Sequence, residues 1–152
     1  MPELSDSIGR ECPACVAIVI CNEVIEDKWT NNKTLVGLFN SIAAPSLPAH
    51  HHRLFIMVSL TDGRGHWPVV LEIEAPSGEE LFKAEGALDF DDPLAVHDLV
   101  VEVRGLPLPE AGEYRVGLVC GLRPLASRRF TVVQEGEPER GMGGERDGGR
   151  ER

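Results

Sequence analysis

The chain has 152 residues, a formal net charge of −10 at pH 7, a pI near 4.9, and an aromatic content of 5%. Such an acidic surface excludes phosphate backbones and anionic membranes as main partners, so neither nucleic acid nor membrane binding is expected. The low aromatic content leaves Val, Leu, Ile and Ala to fill one core, each large aliphatic contributing about 1.5–3 kcal/mol when fully buried.

The first six residues, Met1 to Asp6, are acidic and lack the basic and apolar regions of a secretory leader. The expected location is therefore the cytoplasm, with the four cysteines reduced. Residues 1–11 read as a flexible N-terminus. Ala14 to Val24 is rich in β-branched side chains and reads as a first strand. Thr34 to Phe39 reads as a second, joined to it through the polar loop Asp27 to Lys33 as a hairpin. Pro45-Ser46-Leu47-Pro48 then breaks the chain, because proline donates no hydrogen bond to a ladder. Arg53 to Thr61 and Trp67 to Ala75 read as strands joined by a tight reversal at Asp62-Gly63-Arg64-Gly65-His66.

After a turn at Pro76 to Glu79, the residues Phe82, Ala84, Gly86, Leu88 and Phe90 alternate with Lys83, Glu85, Ala87 and Asp89, a two-residue period. Asp91-Asp92-Pro93 interrupts, and Leu99, Val101 and Val103 mark the next strand. Pro109 to Gly112 then turns into a run in which Tyr114, Val116, Leu118 and Cys120 face inward, with Tyr114 placed to cap the corner through its hydroxyl. Ser127 to Gln134 closes a hairpin with it. The pattern predicts an all-β protein: an immunoglobulin-like antiparallel β-sandwich of about eight strands over 12–134, with a disordered tail over 135–152.

Four segments in this order, Val19 to Val24, Lys33 to Phe39, Leu47-Pro48-Ala49 and Pro109 to Tyr114, resemble a bacterial family of small uncharacterised proteins catalogued as a domain of unknown function. The resemblance spans about 14–133. It implies a cytosolic immunoglobulin-like sandwich and no established activity. The Cys12-Pro13-Ala14-Cys15 segment and the Arg/Gly-rich tail lie outside its pattern.

Cys12 and Cys15 have the spacing of a redox pair or half a zinc site, but strand follows them where thiol chemistry asks for a helix N-terminus, and no second Cys-x-x-Cys supplies further ligands. His50, His51 and His52 precede a strand, so at best His50 and His52 share a face and, with a carboxylate or His97, bind metal. A solvated cluster is the simpler account. Asp89, Asp91 and Asp92 read as a polar turn, and Ser127 lacks the partners of a nucleophile. Trp29 in its polar loop, and Arg64 and Trp67 at a loop and strand start, are the candidate partner contacts. The function expected is a non-enzymatic module that binds a protein partner or itself, with no cofactor. The alternative is a metal- or thiol-dependent protein using Cys12, Cys15, His50 and His52.

Overall fold

In a computed structural model of the chain, residues 11–136 are described; they form nine strands and no helix. The strands are β1 (Ala14–Glu26), β2 (Lys33–Leu38), β3 (Ser41–Ala44), β4 (Ala49–Thr61), β5 (Gly65–Glu74), β6 (Glu80–Phe90), β7 (His97–Leu108), β8 (Gly112–Cys120) and β9 (Arg123–Gln134). They make a four-stranded sheet in the order β2-β1-β4-β7 and a five-stranded sheet in the order β3-β9-β8-β5-β6. The second sheet curls into a half-barrel. The expectations on residues 1–10 and 137–152 lie outside the described residues.

The inner faces follow the alternation of the sequence. Leu54, Ile56, Val58 and Leu60 of β4, Val69, Leu71 and Ile73 of β5, and Tyr114, Val116, Leu118 and Cys120 of β8 are all buried in one core shared by both sheets. At the β7–β8 corner the Tyr114 hydroxyl donates to the Glu110 carbonyl at 2.6 Å and accepts from the Glu110 N–H at 3.2 Å, and its ring stacks on Phe130. Burial is the larger influence on that phenol and raises its pKa. Arg128 ties the two sheets along one side, its guanidinium donating to the Ile18 carbonyl and to Asn40 Oδ1.

Three expectations are corrected. The strands number nine, because Ser41–Ala44 forms β3 in a stretch too short to show a period. The strand pairing is not antiparallel throughout: β3 runs parallel to β9, with Ser41 opposite Thr131 and Ala44 opposite Gln134. The Asp62 to His66 segment is not a tight reversal within one sheet but a corner, since β4 and β5 belong to different sheets. Gly63 is required there by close approach, because a Cβ would come within 2.8 Å of the Phe90 ring. Backbone hydrogen bonding continues on both sides of 12–134. Glu11 exchanges two backbone hydrogen bonds with Arg64, and the Glu135 N–H donates to the Ala44 carbonyl.

Candidate functional site

Strand β1 pairs with β4 only as far as Cys21, opposite Phe55; from Glu23 to Glu26 its one partner is β2. The β1–β2 hairpin is thus a two-stranded arm at the edge of the four-stranded sheet. One of its faces supplies Lys33 and Leu35, which with Asn31, Asn32, Met57, Ser59 and Asp98 line a surface cavity of about 460 Å³. Within that cavity the Ser59 hydroxyl donates to Asp98 Oδ1 at 2.5 Å. The register places Ile25, Val36 and Leu38 on the other face, where Glu23 stands opposite Val36 and Thr34 opposite Ile25. That face is open to solvent: Ile25 is 50% exposed, Val36 41% and Leu38 63%.

Trp29 sits at the tip of this arm, 86% exposed. The loop that carries it is tightly bonded. The Asp27 carboxylate accepts the N–H groups of Trp29 at 2.8 Å and Thr30 at 3.0 Å, and the Asp27 carboxyl is held below its ordinary pKa by those two donors. The Asn31 N–H returns to the Asp27 carbonyl, and the Asp27 N–H donates to the Asn32 carbonyl. Asn31 takes the left-handed conformation with φ 64°, which Asn tolerates better than most residues. The indole is therefore presented outward by a fixed loop, with the Lys28 ammonium 5.7 Å from its ring centroid.

The other two contact candidates lie at the β4–β5 corner. Trp67 is half-buried against the core; its indole N–H donates to the Arg64 carbonyl at 2.9 Å, and its ring closes on the backbone of Gly121. Arg64 is held through its backbone by Glu11. This pair reads as a packed corner, so Trp29 is the aromatic that the surface offers. The sequence analysis did not single out Ile25, Val36 and Leu38, because their exposure depends on β1 leaving β4 after Cys21.

The alternative ligand set is not assembled. Cys15 stands opposite Leu60, and His97 is also opposite Leu60, from the other neighbour of β4. Leu60 and His50 stand at opposite ends of β4, ~33 Å apart at a rise of roughly 3.3 Å per residue. Cys12 and Cys15 are thus separated from His50 and His52 by the length of the sheet. Among the described residues no group of three or more His, Cys, Asp or Glu side chains is placed to hold a metal ion. The Cys15 thiol donates to the Ala17 carbonyl at 3.3 Å, and burial raises its pKa, which keeps it a poor nucleophile. His50 and His52 are exposed, whereas His51 between them is half-buried with its ring 6.0 Å from that of Phe39. Burial lowers the His51 pKa below 6.5.

Two further concavities are present. Beside the curled sheet, Glu72, Glu74, Arg115 and Ser127, together with Val119, Pro124, Leu125 and Ala126, surround a cavity of about 370 Å³ of mixed polarity. Between β6 and β7 an apolar slot of about 190 Å³ opens into the core. No helix among the described residues is long and apolar enough to cross a membrane.

Among solved structures the chain is similar to the Pseudomonas fluorescens alkylpurine DNA glycosylase AlkC bound to DNA containing an abasic site analog, at 12% identity and a TM-score of 0.48, over 86% of this chain and 33% of that one. It is similar to the C-terminal domain of wzt at 13% identity and a TM-score of 0.46, over 82% and 75% of the two chains. A third likeness is to a beta-glucosidase from Listeria innocua in complex with glucose, at 10% identity and a TM-score of 0.42, over 77% and 16%. The chain thus spans about a third of the glycosylase and a sixth of the glucosidase, and the DNA and glucose are those proteins' own. No curated protein matches the sequence. One family model does, over residues 16–133, from the first strand to the last, and the chain belongs to that family of unknown function, DUF6941.

Proposed function

We infer that the protein is a non-enzymatic interaction module, an immunoglobulin-like sandwich that binds a protein partner or a second copy of itself through the β1–β2 arm. The observation that carries this reading is the exposed apolar face of Ile25, Val36 and Leu38 beside the outward-held Trp29. Single exposed apolar residues are ordinary, but three on one face of a two-stranded arm, with an exposed tryptophan at its tip, are residue types that interface centres use. The tyrosine corner at Tyr114 and the packing of two sheets on one core support the immunoglobulin-like type. The net charge of −10 supports a protein rather than a nucleic acid or membrane partner. Four cysteines outside any disulfide, Cys21 and Cys120 among them fully buried, suit a reducing cytoplasm.

The test is sedimentation velocity on the full chain over a wide concentration range, beside affinity isolation from its own cells, for wild type and for Leu38→Asp with Trp29→Ser. The expected result is a self-association or a stoichiometric protein partner that the double substitution removes, with thermal stability changed by no more than about 2 °C. A wild type that stays monomeric and holds no partner, or an association that survives both substitutions, overturns the reading.

A further inference from the structure

The apolar slot between β6 and β7 has a traceable cause. These strands are the outer edges of the two sheets on one side of the sandwich, and they face each other without hydrogen bonding. The inward positions of β6 run Phe82, Ala84, Gly86, Leu88, Phe90, set by their partners Ile73, Leu71, Val69, Trp67 and Gly65 on β5. Large side chains fill the two ends of that row, while Ala84 and Gly86 leave its middle empty. Across the gap β7 turns Leu99 and Val101 inward, opposite Val58 and Ile56. The floor is Val58, Val69, Leu71 and Leu118, all buried core residues. A Cβ added at Gly86 would meet no atom within 4 Å, and the Gly86 backbone is not in the left-handed region that demands glycine. Gly86 itself is exposed, so the slot is open to solvent along this edge; a Cβ at position 86 would have room there, yet the site is glycine.

We propose that this seam is a binding site for one unbranched alkyl chain of about eight carbons carried on an uncharged head. Its volume is about 190 Å³. It extends along β6 from Ala84 to Leu88, four residue steps or ~13 Å, a long and narrow form that suits one extended chain better than a ring. An apolar cavity of roughly 150 Å³ accepts the six carbons of benzene, which sets the length at about eight here. The lining is aliphatic except for Glu85 at the mouth, and Glu85 is paired with Lys83 at 3.5 Å. With a carboxylate at the mouth and a net charge of −10, a neutral head is favoured over a fatty-acid carboxylate. A partner protein reaches only the rim, because the floor lies within the core.

The test is methyl NMR on the full chain titrated with 1-octanol and, separately, with sodium octanoate. The expected result with octanol is saturable shifts at the methyls of Ala84, Ala87, Leu88, Leu99 and Val101, with octanoate binding at least several-fold more weakly. Gly86→Leu should weaken octanol at least tenfold while leaving the melting temperature equal or higher, because it fills the slot. If Gly86→Leu fails to fold, Ala84→Leu plugs the same slot from the adjacent inward position and carries the same expectation. Absence of saturation up to the solubility of octanol overturns the proposal. So do equal shifts at Ile25 and Leu38, or a plugged variant that titrates like wild type. The arm lies on another edge, so either outcome here leaves the interaction reading to its own test.

Discussion

At the scale of single residues, Tyr114 carries the corner between β7 and β8, and the sequence showed it because a Pro-Glu-Ala-Gly turn runs straight into an inward alternation. Its hydroxyl both donates to and accepts from Glu110, while its ring is fully buried against Phe130. Glu110 itself is exposed, so the groups that Tyr114→Phe frees can turn to water. The cost should then be that of hydrogen bonding alone, about 0.5–1.5 kcal/mol, read as a lowered denaturant midpoint with unchanged slope. An unchanged midpoint would show that the hydroxyl does not brace the corner. Trp29 was legible in the same way, as a large aromatic among polar residues. Its fixed presentation was not, since that depends on the Asp27 carboxylate meeting two backbone donors, a matter of geometry rather than composition.

At the scale of elements, legibility tracked strand length and the distance to the partner. Strands β1, β5, β6 and β8, with a sustained two-residue period, were found within two residues of their bounds, whereas β9 was started four residues late, at Ser127 rather than Arg123. Ser41–Ala44 was missed because four residues ending at a proline show no period and because their partner, β9, lies at the other end of the domain. Strand β4 was started too late, at Arg53 rather than Ala49, because three histidines look like solvent-facing loop. His50 and His51 are in fact paired with β7, where Gly105 adopts φ 63° and Leu106 stands buried opposite His51. The consequence is that His51 is turned against Phe39 and Leu106, half-buried beside the charge of His52.

Its folded pKa lies below the unfolded value of about 6.5, so the folded state binds fewer protons. The stability that follows is complete above that value and is lost as pH falls through the folded pKa. Wild type should therefore lose melting temperature between about pH 6.5 and 5 more steeply than His51→Gln does. Parallel pH profiles for the two proteins would remove this role from His51. The empty middle of β6 was likewise half visible. The row of Phe, Ala, Gly, Leu and Phe stood in the sequence, but its emptiness depends on what β7 places across the seam.

At the scale of the whole molecule, one core joins both sheets, and the chain outside it has little to add. Residues 137–152 contain a single large apolar side chain, Met142, among acids, arginines and glycines. Cutting after Gly136 should leave the melting temperature within about 2 °C. Cutting after Val133 removes Gln134, which pairs with Ala44, and Glu135, which bonds to the Ala44 carbonyl, and should lower it by several degrees. Equal melting temperatures for the two truncations would show that the β3–β9 closure does not hold the domain.

The parallel pairing of β3 with β9 also governs when the protein can fold. The second sheet takes its edge strand from the first third of the chain and lays it beside the last strand made, Ser41 against Thr131. During synthesis β3 therefore waits without a partner while β4 to β8 emerge, and the aliphatic side chain of Ile42 has no core to enter until β9 arrives. Contacts between such distant parts of a chain form slowly, because loop closure must precede them. The domain behaves as a single unit that is completed on release of its last strand, and a nascent chain stalled before β9 exposes an unfinished sheet to its neighbours.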